Sequence, residues 1–123
     1  MARTVVIVDD HDPFRRFARA FLQAAGFQVI GEARDGATAI EAIDRLRPDV
    51  VLLDVLLPDL DGFEVARRIL AGNRRPAIVL TSTRDAADYG RRIERSGATG
   101  FVPKADLATV GLDRFLRDDG PVE

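Results

Sequence analysis

The 123-residue sequence has no cysteine, one histidine and no long hydrophobic run. The lack of cysteine excludes disulfides, thiolate chemistry and zinc sites built on cysteine. No apolar run approaches the ~18 residues needed to span a bilayer, and the apolar stretch near the N-terminus is too short for a signal peptide. The net charge of −2 provides no basic field for nucleic acid or for an anionic membrane. We therefore expect a cytoplasmic protein with no membrane segment and no direct nucleic-acid contact.

The size and composition are those of one globular domain. Hydrophobic residues make up 46% and charged residues 31% of the chain, which are ordinary values for a domain with a single core. No linker, low-complexity tract or internal repeat divides the sequence. We predict one domain over residues 1–118, followed by a short polar tail over residues 119–123.

Five short apolar runs alternate with amphipathic segments. The runs at 5–8, 27–33, 50–53, 76–80 and 99–102 predict strands, and those at 5–8 and 50–53 are apolar throughout, as expected of strands buried on both faces. Helical spacing of apolar residues follows each run. This strict alternation predicts an α/β fold with a parallel sheet and helices on both faces.

The helix boundaries follow from capping residues and apolar spacing. Asp12 before Pro13 predicts the N-cap of the first helix, and Gly26 predicts its end. The fourth helix is predicted over roughly residues 85–95 and to pack loosely, since its only large apolar residues are Tyr89 and Ile93. The apolar stripe of the final helix is predicted at four positions: Ala108, Leu112, Phe115 and Leu116.

Polar residues follow four of the five predicted strands: Asp9 and Asp10, Asp54, Thr81, and Lys104. Because parallel strands share one carboxyl edge, these residues should lie together on that edge. Each has a simpler interpretation when taken alone. An Asp after a strand is usually a cap or turn former, a Thr hydroxyl often bonds to nearby backbone, and a loop Lys is usually solvated. The joint placement favours a functional site.

The chemistry of this set points to a metal and a phosphoryl group. Three neighbouring carboxylates repel one another unless a cation intervenes, and oxygen ligands without His or Cys favour Mg²⁺. A hydroxyl at Thr81 and an ammonium at Lys104 suit the oxygens of a phosphoryl group. Its acceptor would be Asp54, since an aspartate can form an acyl phosphate.

With these residues assembled, the chain resembles the receiver domain of two-component response regulators over nearly its whole length. The resemblance rests on motifs in the order and approximate spacing of that family: Val8-Asp9-Asp10, Leu53-Asp54, Pro58, Asp61-Gly62, Leu80-Thr81-Ser82, Phe101 and Lys104. It implies a doubly wound, flavodoxin-like sheet of strand order 2-1-3-4-5.

The resemblance also implies roles for individual residues. Asp54 would be the phosphoacceptor. Asp10 would bind Mg²⁺ directly, Asp9 mostly through water, and the backbone carbonyl of Leu56 would complete the protein ligands. Thr81 would be the switch hydroxyl, Lys104 would pair with the phosphoryl group, and Phe101 would turn inward when Thr81 moves.

A switch of this kind needs partners. We expect a histidine kinase or phosphotransfer protein as donor, and output through a surface of the fourth helix, fifth strand and fifth helix. That surface could also form a homodimer. The chain is expected to be either a stand-alone receiver or part of a larger regulator whose effector or DNA-binding domain lies outside it. The sequence phrases Gly31-Glu32-Ala33 and Asp35-Gly36 are a weak hint of the DNA-binding class. The chain is expected to be a switch input and not an enzyme.

Three departures from the family pattern bear on the expected behaviour. Ala105 follows Lys104 where proline is usual, so we expect a trans peptide bond there. Leu56 and Thr83 occupy the positions two after Asp54 and two after Thr81, and the apolar Leu56 cannot orient an attacking water. We therefore expect slow loss of the phosphoryl group. Phe101 lacks a hydroxyl that could stabilise either of its positions.

Three other functions fit the sequence less well. An aspartyl-phosphate phosphohydrolase would need a second Asp two residues after the nucleophile, where Leu56 stands. A flavodoxin-like FMN domain would need a phosphate cradle where Asp9 and Asp10 would repel phosphate. A receiver-like scaffold without phosphorylation conflicts with the complete residue set.

Two further features have a simple and a functional interpretation. His11 is favoured as a surface residue at a helix start over a metal ligand. The arginines at or near the fourth helix form either a solvated face or a partner-docking surface: Arg84, Arg91, Arg92 and Arg95.

Overall fold

Strands and helices alternate along the chain in the computed structural model, which describes residues 2–73 and 75–116. The strands are β1 (Thr4–Val8), β2 (Gln28–Ala33), β3 (Val50–Asp54), β4 (Ala77–Ser82) and β5 (Gly100–Pro103). The α-helices are α1 (Asp12–Ala24), α2 (Gly36–Leu46), α3 (Gly62–Leu70), α4 (Arg92–Arg95) and α5 (Leu107–Val110). Short 3₁₀ turns occupy Ala86–Asp88, Lys104–Asp106 and Asp113–Phe115. The predicted tail at 119–123 lies outside the described residues.

All five strands pair in parallel in the order β2-β1-β3-β4-β5. This confirms the predicted fold class and strand order. The order reverses at β1, whose neighbours are β2 and β3, so a crevice opens beyond the carboxyl ends of β1 and β3. The strand residues that line the sheet centre are fully buried, as the continuous apolar runs predict.

A separate apolar core covers each face of the sheet. One core packs α1 and α5 against the sheet and includes Leu22 and Leu107. The other packs α2 and α3 against the opposite face and includes Phe63 and Tyr89. Helices on both faces are the predicted doubly wound arrangement. Within the described ranges, no helix is both long enough and apolar enough to cross a bilayer.

The predicted fourth helix is wrong as a continuous helix. Residues 85–95 form a 3₁₀ turn at Ala86–Asp88 and a single α-helical turn at α4, separated by Gly90 with a φ of +57°. The prediction of loose packing is right for α4, which has no buried residue, and wrong for Tyr89, which is 9% exposed and belongs to the core.

The predicted final helix is also interrupted. Gly111, with a φ of +70°, separates α5 from the 3₁₀ turn at Asp113–Phe115. The buried residues of this segment are Leu107 and Leu112, whereas Ala108 of the predicted stripe is exposed. The predicted helical spacing therefore assigned Ala108 to the buried face incorrectly.

The start of α1 differs from the prediction by one residue. His11 is the N-cap in extended conformation, and Asp12 lies in the first turn, where its side chain pairs with Arg15. Pro13 follows within the first turn as predicted. The end of α1 is as expected, since Gly26 has a φ of +99° directly after the C-cap Ala25.

Candidate functional site

Asp54 is the last residue of β3 and is almost completely buried, with 2% of its surface exposed. Strands β1 and β4 flank it, and Thr81 is its register partner on β4. Its Oδ1 accepts a hydrogen bond from the backbone N–H of Leu56 at 3.1 Å. The sheet therefore holds one carboxylate at the strand end, beside the point where the loop begins.

The loop after β3 is folded back onto the strand by a close backbone contact. The N–H of Gly62 donates to the carbonyl of Val55 at 2.7 Å. A Cβ on Gly62 would lie 2.4 Å from the backbone oxygen of Asp54 and 2.8 Å from Cα of Val55. Only glycine fits there, so the Asp61-Gly62 motif allows the start of α3 to pack directly against the backbone of Asp54.

Asp9 and Asp10 follow β1 and differ strongly in exposure. Asp9 is fully buried, and its N–H donates to the carbonyl of Ala33 on β2 at 3.0 Å. The Asp10 side chain is 36% exposed. The carboxylate of Asp9 is therefore enclosed by the protein, and that of Asp10 is partly open to solvent.

Lys104, the only lysine of the chain, connects the two buried carboxylates. Its Nζ lies 2.7 Å from Oδ2 of Asp9 and donates a hydrogen bond to Oδ2 of Asp54 at 3.2 Å. The ring of Phe14 covers the ammonium, with its centroid 4.7 Å from Nζ, and the Lys104 side chain is only 11% exposed. Lys104 is thus a fixed part of the site and not a solvated loop residue.

The charges shift the proton equilibria of this site. Burial and then the neighbouring Asp9 raise the pKa of Asp54 from 3.8 to about 6, against the opposing effect of Lys104 and the Leu56 N–H. Burial lowers the pKa of Lys104, but the carboxylates of Asp9 and Asp54 outweigh it and raise that pKa. At pH 7 Lys104 is therefore charged, and Asp54 is mostly ionised.

The residues present fit a hard divalent cation. Ligand atoms of Asp9, Asp10, His11 and Asp54 all lie within 4.8 Å of one another. Among the described residues, Oδ2 of Asp9 is the one buried side-chain oxygen or nitrogen without a hydrogen bond. That oxygen lies 2.7 Å from the ammonium of Lys104, so its contact is an ion pair. Lys104 supplies one positive charge against three carboxylates, and a divalent cation would balance the other two.

The side chain of Thr81 forms a hydrogen bond to β5. Its hydroxyl is fully buried and donates to the carbonyl of Val102 at 2.7 Å. Thr81 is the register partner of both Asp54 on β3 and Val102 on β5. The hydroxyl therefore stands between the candidate phosphoacceptor and the last strand.

An aromatic cluster is hydrogen-bonded to Ser82, the residue after Thr81. Tyr89 packs edge-on against Phe63, with centroids 5.4 Å apart, and against Phe101 at 5.8 Å. The Tyr89 hydroxyl forms a 2.7 Å hydrogen bond with Oγ of Ser82, the residue after Thr81. Phe101 is only half-buried, so its neighbour Tyr89 occupies the more enclosed position.

Sequence reasoning missed Phe14 and Tyr89 as contributors to the site. Phe14 lies at the helix start next to a strand end, and this position is a signal of proximity to the site. The interpretation of His11 as a surface residue at a helix start is confirmed, and its Nδ1 lies 3.2 Å from Oδ1 of Asp9 and 3.1 Å from Oδ1 of Asp10. Tyr89 gave no local signal of its partner Ser82.

Asp59 serves the fold in a way that the sequence did not indicate. Its carboxylate accepts hydrogen bonds from the backbone N–H groups of Gly36, Ala37 and Leu60 at 2.7, 3.0 and 2.8 Å. These bonds, first that from Gly36, lower the pKa of Asp59. The loop after β3 is therefore tied to the N-terminus of α2, which leaves Asp59 outside the site.

All four arginines near α4 are exposed, and Arg92 also has two defined contacts. Arg92 lies with its guanidinium 4.5 Å from the ring centroid of Phe63 and 3.3 Å from a carboxylate oxygen of Asp61. Arg84, Arg91 and Arg95 are exposed. Together with Arg92, whose side chain is 57% exposed, they leave a basic surface beside the aromatic cluster.

Comparison with known proteins identifies the family. The model of the response regulator receiver domain matches residues 5–110. The chain is 35% identical, over a 130-residue alignment, to the DNA-binding response regulator MtrA of Mycobacterium tuberculosis, covering 100% of this chain and 55% of MtrA. It is 41% identical over 113 residues to a protein-glutamate methylesterase/protein-glutamine glutaminase of Pseudoalteromonas atlantica, covering 85% of this chain and 28% of that enzyme.

Solved structures give the same result. The signal receiver domain of a Mycobacterium tuberculosis protein described as the response regulator NarL superposes with a TM-score of 0.81 at 34% identity, over 93% of this chain and 96% of that one. The response regulator domain of Thermotoga maritima CheB has a TM-score of 0.83 at 24% identity, over 94% of each chain, which supports the fold alone. The chain spans about half or less of the two curated relatives above.

Proposed function

The chain belongs to the response regulator receiver domain family, and from this premise we propose that Asp54 accepts a phosphoryl group from a phosphohistidine donor with Mg²⁺ as cofactor. Asp9, Asp10 and Asp54 would hold the metal together with the backbone carbonyl of Leu56. Thr81 and Lys104 would bind the phosphoryl oxygens. The input would be read out through the Thr81–Phe101 region.

One observation carries this proposal: Lys104 Nζ contacts a carboxylate oxygen of both Asp9 and Asp54 at 2.7 and 3.2 Å. Two buried carboxylates with one fixed ammonium have one negative charge in excess. That arrangement suits a divalent cation before transfer and a phosphoryl group after it. A purely structural ion pair would need only one of the carboxylates.

The transfer step uses the ionised Asp54. One carboxylate oxygen forms the new O–P bond while the P–N bond to the donor histidine breaks, and the imidazole keeps the bonding electron pair. The N–H of Leu56 at 3.1 Å and Lys104 at 3.2 Å hold the carboxylate in place. Mg²⁺, when bound, would neutralise negative charge on the phosphoryl oxygens.

The signal would leave the site through Thr81. A phosphoryl group on Asp54 offers the Thr81 hydroxyl a charged acceptor, which is stronger than the neutral carbonyl of Val102 that it now contacts at 2.7 Å. Movement of Thr81 would release that bond to β5 and disturb the neighbouring pair Ser82 and Tyr89. Phe101 could then change its packing against Tyr89. This rearrangement would alter the surface formed by α4, β5 and α5.

The partners in this proposal follow from the family. A histidine kinase or phosphotransfer protein would donate the phosphoryl group, and a cytoplasmic location would follow from such a donor. The output could pass to an effector or DNA-binding domain, as in the DNA-binding relative MtrA, or to a second copy through the α4–β5–α5 face. The chain itself would act as a switch with no nucleic-acid contact of its own.

The rival functions fit the site less well. A phosphohydrolase would need an acid or base two residues after Asp54, where Leu56 has a side chain that is apolar and 50% exposed. An FMN site would place phosphate against Asp9 and Asp10, whose charges repel it. The exposed Leu56 also supports slow hydrolysis of the acyl phosphate, because it offers no polar group to orient water.

Incubation with acetyl phosphate and Mg²⁺, followed by intact-mass spectrometry, tests the proposal. The wild type should gain one phosphoryl group, and EDTA or Asp54→Asn should prevent it. Asp44→Asn, which alters an exposed carboxylate on α2, is the matched control and should react like the wild type. An unmodified wild type, or an equal gain on Asp54→Asn, would refute the assignment.

A further inference from the structure

His11, the single histidine of the chain, faces the acidic site. It follows Asp10 directly and caps α1, and its side chain is 65% exposed. Its backbone N–H donates to Oδ1 of Asp9 at 2.8 Å, which fixes the residue against the site. Its ring Nδ1 lies 3.2 Å from that same oxygen and 3.1 Å from Oδ1 of Asp10.

These separations are those of hydrogen bonds or ion pairs, and they are equally those of neighbouring ligands around one ion. Two ligand atoms about 2.1 Å from a metal and at right angles to each other are about 3 Å apart. Nδ1 of His11 has that separation from two carboxylate oxygens at once. The four candidate ligands Asp9, Asp10, His11 and Asp54 fit within 4.8 Å, so the imidazole lies at the same centre as the carboxylates.

The charge balance of the site indicates that a cation belongs at this centre. Asp9 is fully buried, and its Oδ2 has the ammonium of Lys104 as an ion-pair partner at 2.7 Å. Lys104 supplies one positive charge, but Asp9, Asp10 and Asp54 carry three carboxyl groups. The site therefore has room for a divalent charge next to the imidazole.

We propose that His11 is a ligand of this metal site and gives it a preference for divalent ions that accept imidazole nitrogen, such as Ni²⁺, Co²⁺ and Zn²⁺. An oxygen-only set suits Mg²⁺, whereas a nitrogen ligand adds affinity for the later first-row ions and little for Mg²⁺. The inference rests on the proposed metal site of the phosphoacceptor and adds a ligand to it. Binding uses the lone pair of Nδ1, and any proton on that nitrogen is released to solvent.

With His11 as a ligand, the site would distinguish between metal ions, and this selectivity would affect signalling. The same carboxylate oxygens would hold either Mg²⁺ or a nitrogen-preferring ion, so only one ion binds at a time. A nickel, cobalt or zinc ion would then exclude Mg²⁺ by competition. The simpler role of His11, as a helix-start residue paired with carboxylates, makes no such distinction between metals.

Metal titrations of the untagged chain, measured by calorimetry, separate the role of His11 as a metal ligand from its role as a helix-start residue. The variants are His11→Asn, which keeps a residue suited to an N-cap and removes the imidazole, and Asp12→Asn, which removes a nearby exposed charge outside the ligand set. We expect His11→Asn to lose at least about tenfold in Ni²⁺ affinity and much less in Mg²⁺ affinity. Asp12→Asn should change the two affinities by similar small factors.

The imidazole also reports directly, because it is the only one in the chain. Addition of Zn²⁺ should shift the ring proton resonances of His11 in NMR spectra of the wild type, and Mg²⁺ should shift them less. Equal Ni²⁺ affinities for wild type and His11→Asn, or ring resonances unmoved by Zn²⁺, would overturn the inference. If the metal inference fails in this way but the wild type still gains a phosphoryl group with Mg²⁺, the proposed function stands. If the wild type prefers Ni²⁺ but gains no phosphoryl group, only the proposed function is refuted.

Discussion

The ammonium of Lys104 hydrogen-bonds Oδ2 of Asp54 at 3.2 Å, although the two residues are 50 positions apart in sequence. The parallel sheet makes this possible, because Asp54 ends β3 and Lys104 directly follows β5. Lys104 also lies 2.7 Å from Asp9, which directly follows a third strand, β1. Three strands therefore converge on one charge cluster that no single segment could form.

Replacement of this ammonium should destabilise the chain. Lys104→Met leaves the buried Asp9 and Asp54 carboxylates facing each other without a cation, and removal of one partner from a buried ion cluster costs about 3 kcal/mol or more. Urea unfolding at pH 7.5 in EDTA measures the loss. Asp54→Asn in the same background should restore part of it, since it removes one of the repelling charges, and a double variant no more stable than Lys104→Met would contradict this.

Asp54→Asn alone should stabilise the chain at neutral pH when no divalent ion is present. The pKa of Asp54 rises from 3.8 to about 6 on folding, so the folded state binds more protons than the unfolded state between those values. Stability contributed by Asp54 is then present below pH 3.8 and is lost as the pH rises through 6. The loss is about 1 to 2 kcal/mol once solvent screening is allowed for.

The pH dependence of that difference is the measurement. Unfolding free energies of wild type and Asp54→Asn in EDTA should differ most above pH 6.5, and the two should converge toward pH 4. A constant difference across this range would show that the carboxyl group has the same pKa in both states.

Gly62→Ala should damage the site through the backbone. The new Cβ would meet the backbone oxygen of Asp54 at 2.4 Å, so either α3 or the end of β3 must move. We expect a loss of about 1–3 kcal/mol and a weaker reaction with acetyl phosphate. Gly72→Ala is the control, because its nearest contact would be at an ordinary 3.4 Å from the carbonyl of Ile69, and it should leave both properties nearly unchanged.

The chain contains one tyrosine and no tryptophan, so its fluorescence reports on Tyr89. Phosphorylation should change this fluorescence, since Tyr89 contacts both Ser82 and Phe101. Thr81→Val removes the hydroxyl proposed to transmit the signal and should accept the phosphoryl group without the same fluorescence change. An identical change in Thr81→Val would place the route elsewhere.

The strands were predictable because they depend on local sequence, and the charged cluster was predictable because it follows from the parallel arrangement of those strands. A strand buried on two faces is a continuous apolar run, and β1, β3 and β4 were found in this way. Since parallel strands share a carboxyl edge, the residues after those runs could be placed together without coordinates. The trans peptide bond expected at Lys104–Ala105 is also present, as no described peptide bond is cis.

The errors arose where tertiary structure overrides local pattern. Helical spacing continues across Gly90 and Gly111, but both adopt positive φ and interrupt the predicted helices. Tyr89 is buried through contacts with Phe63 and Phe101, which come from distant segments. Asp59 caps α2 from 23 residues away, a contact that no local motif encodes.

The central claim is that Asp54 carries the phosphoryl group. After reaction with acetyl phosphate and Mg²⁺, reduction with borohydride converts an acyl phosphate of aspartate into homoserine, and peptide mapping locates the converted residue. The account predicts homoserine at position 54 of the wild type and none when EDTA is present. Homoserine at another carboxylate, or a peptide containing unchanged Asp54 in protein that has gained a phosphoryl group, would contradict it.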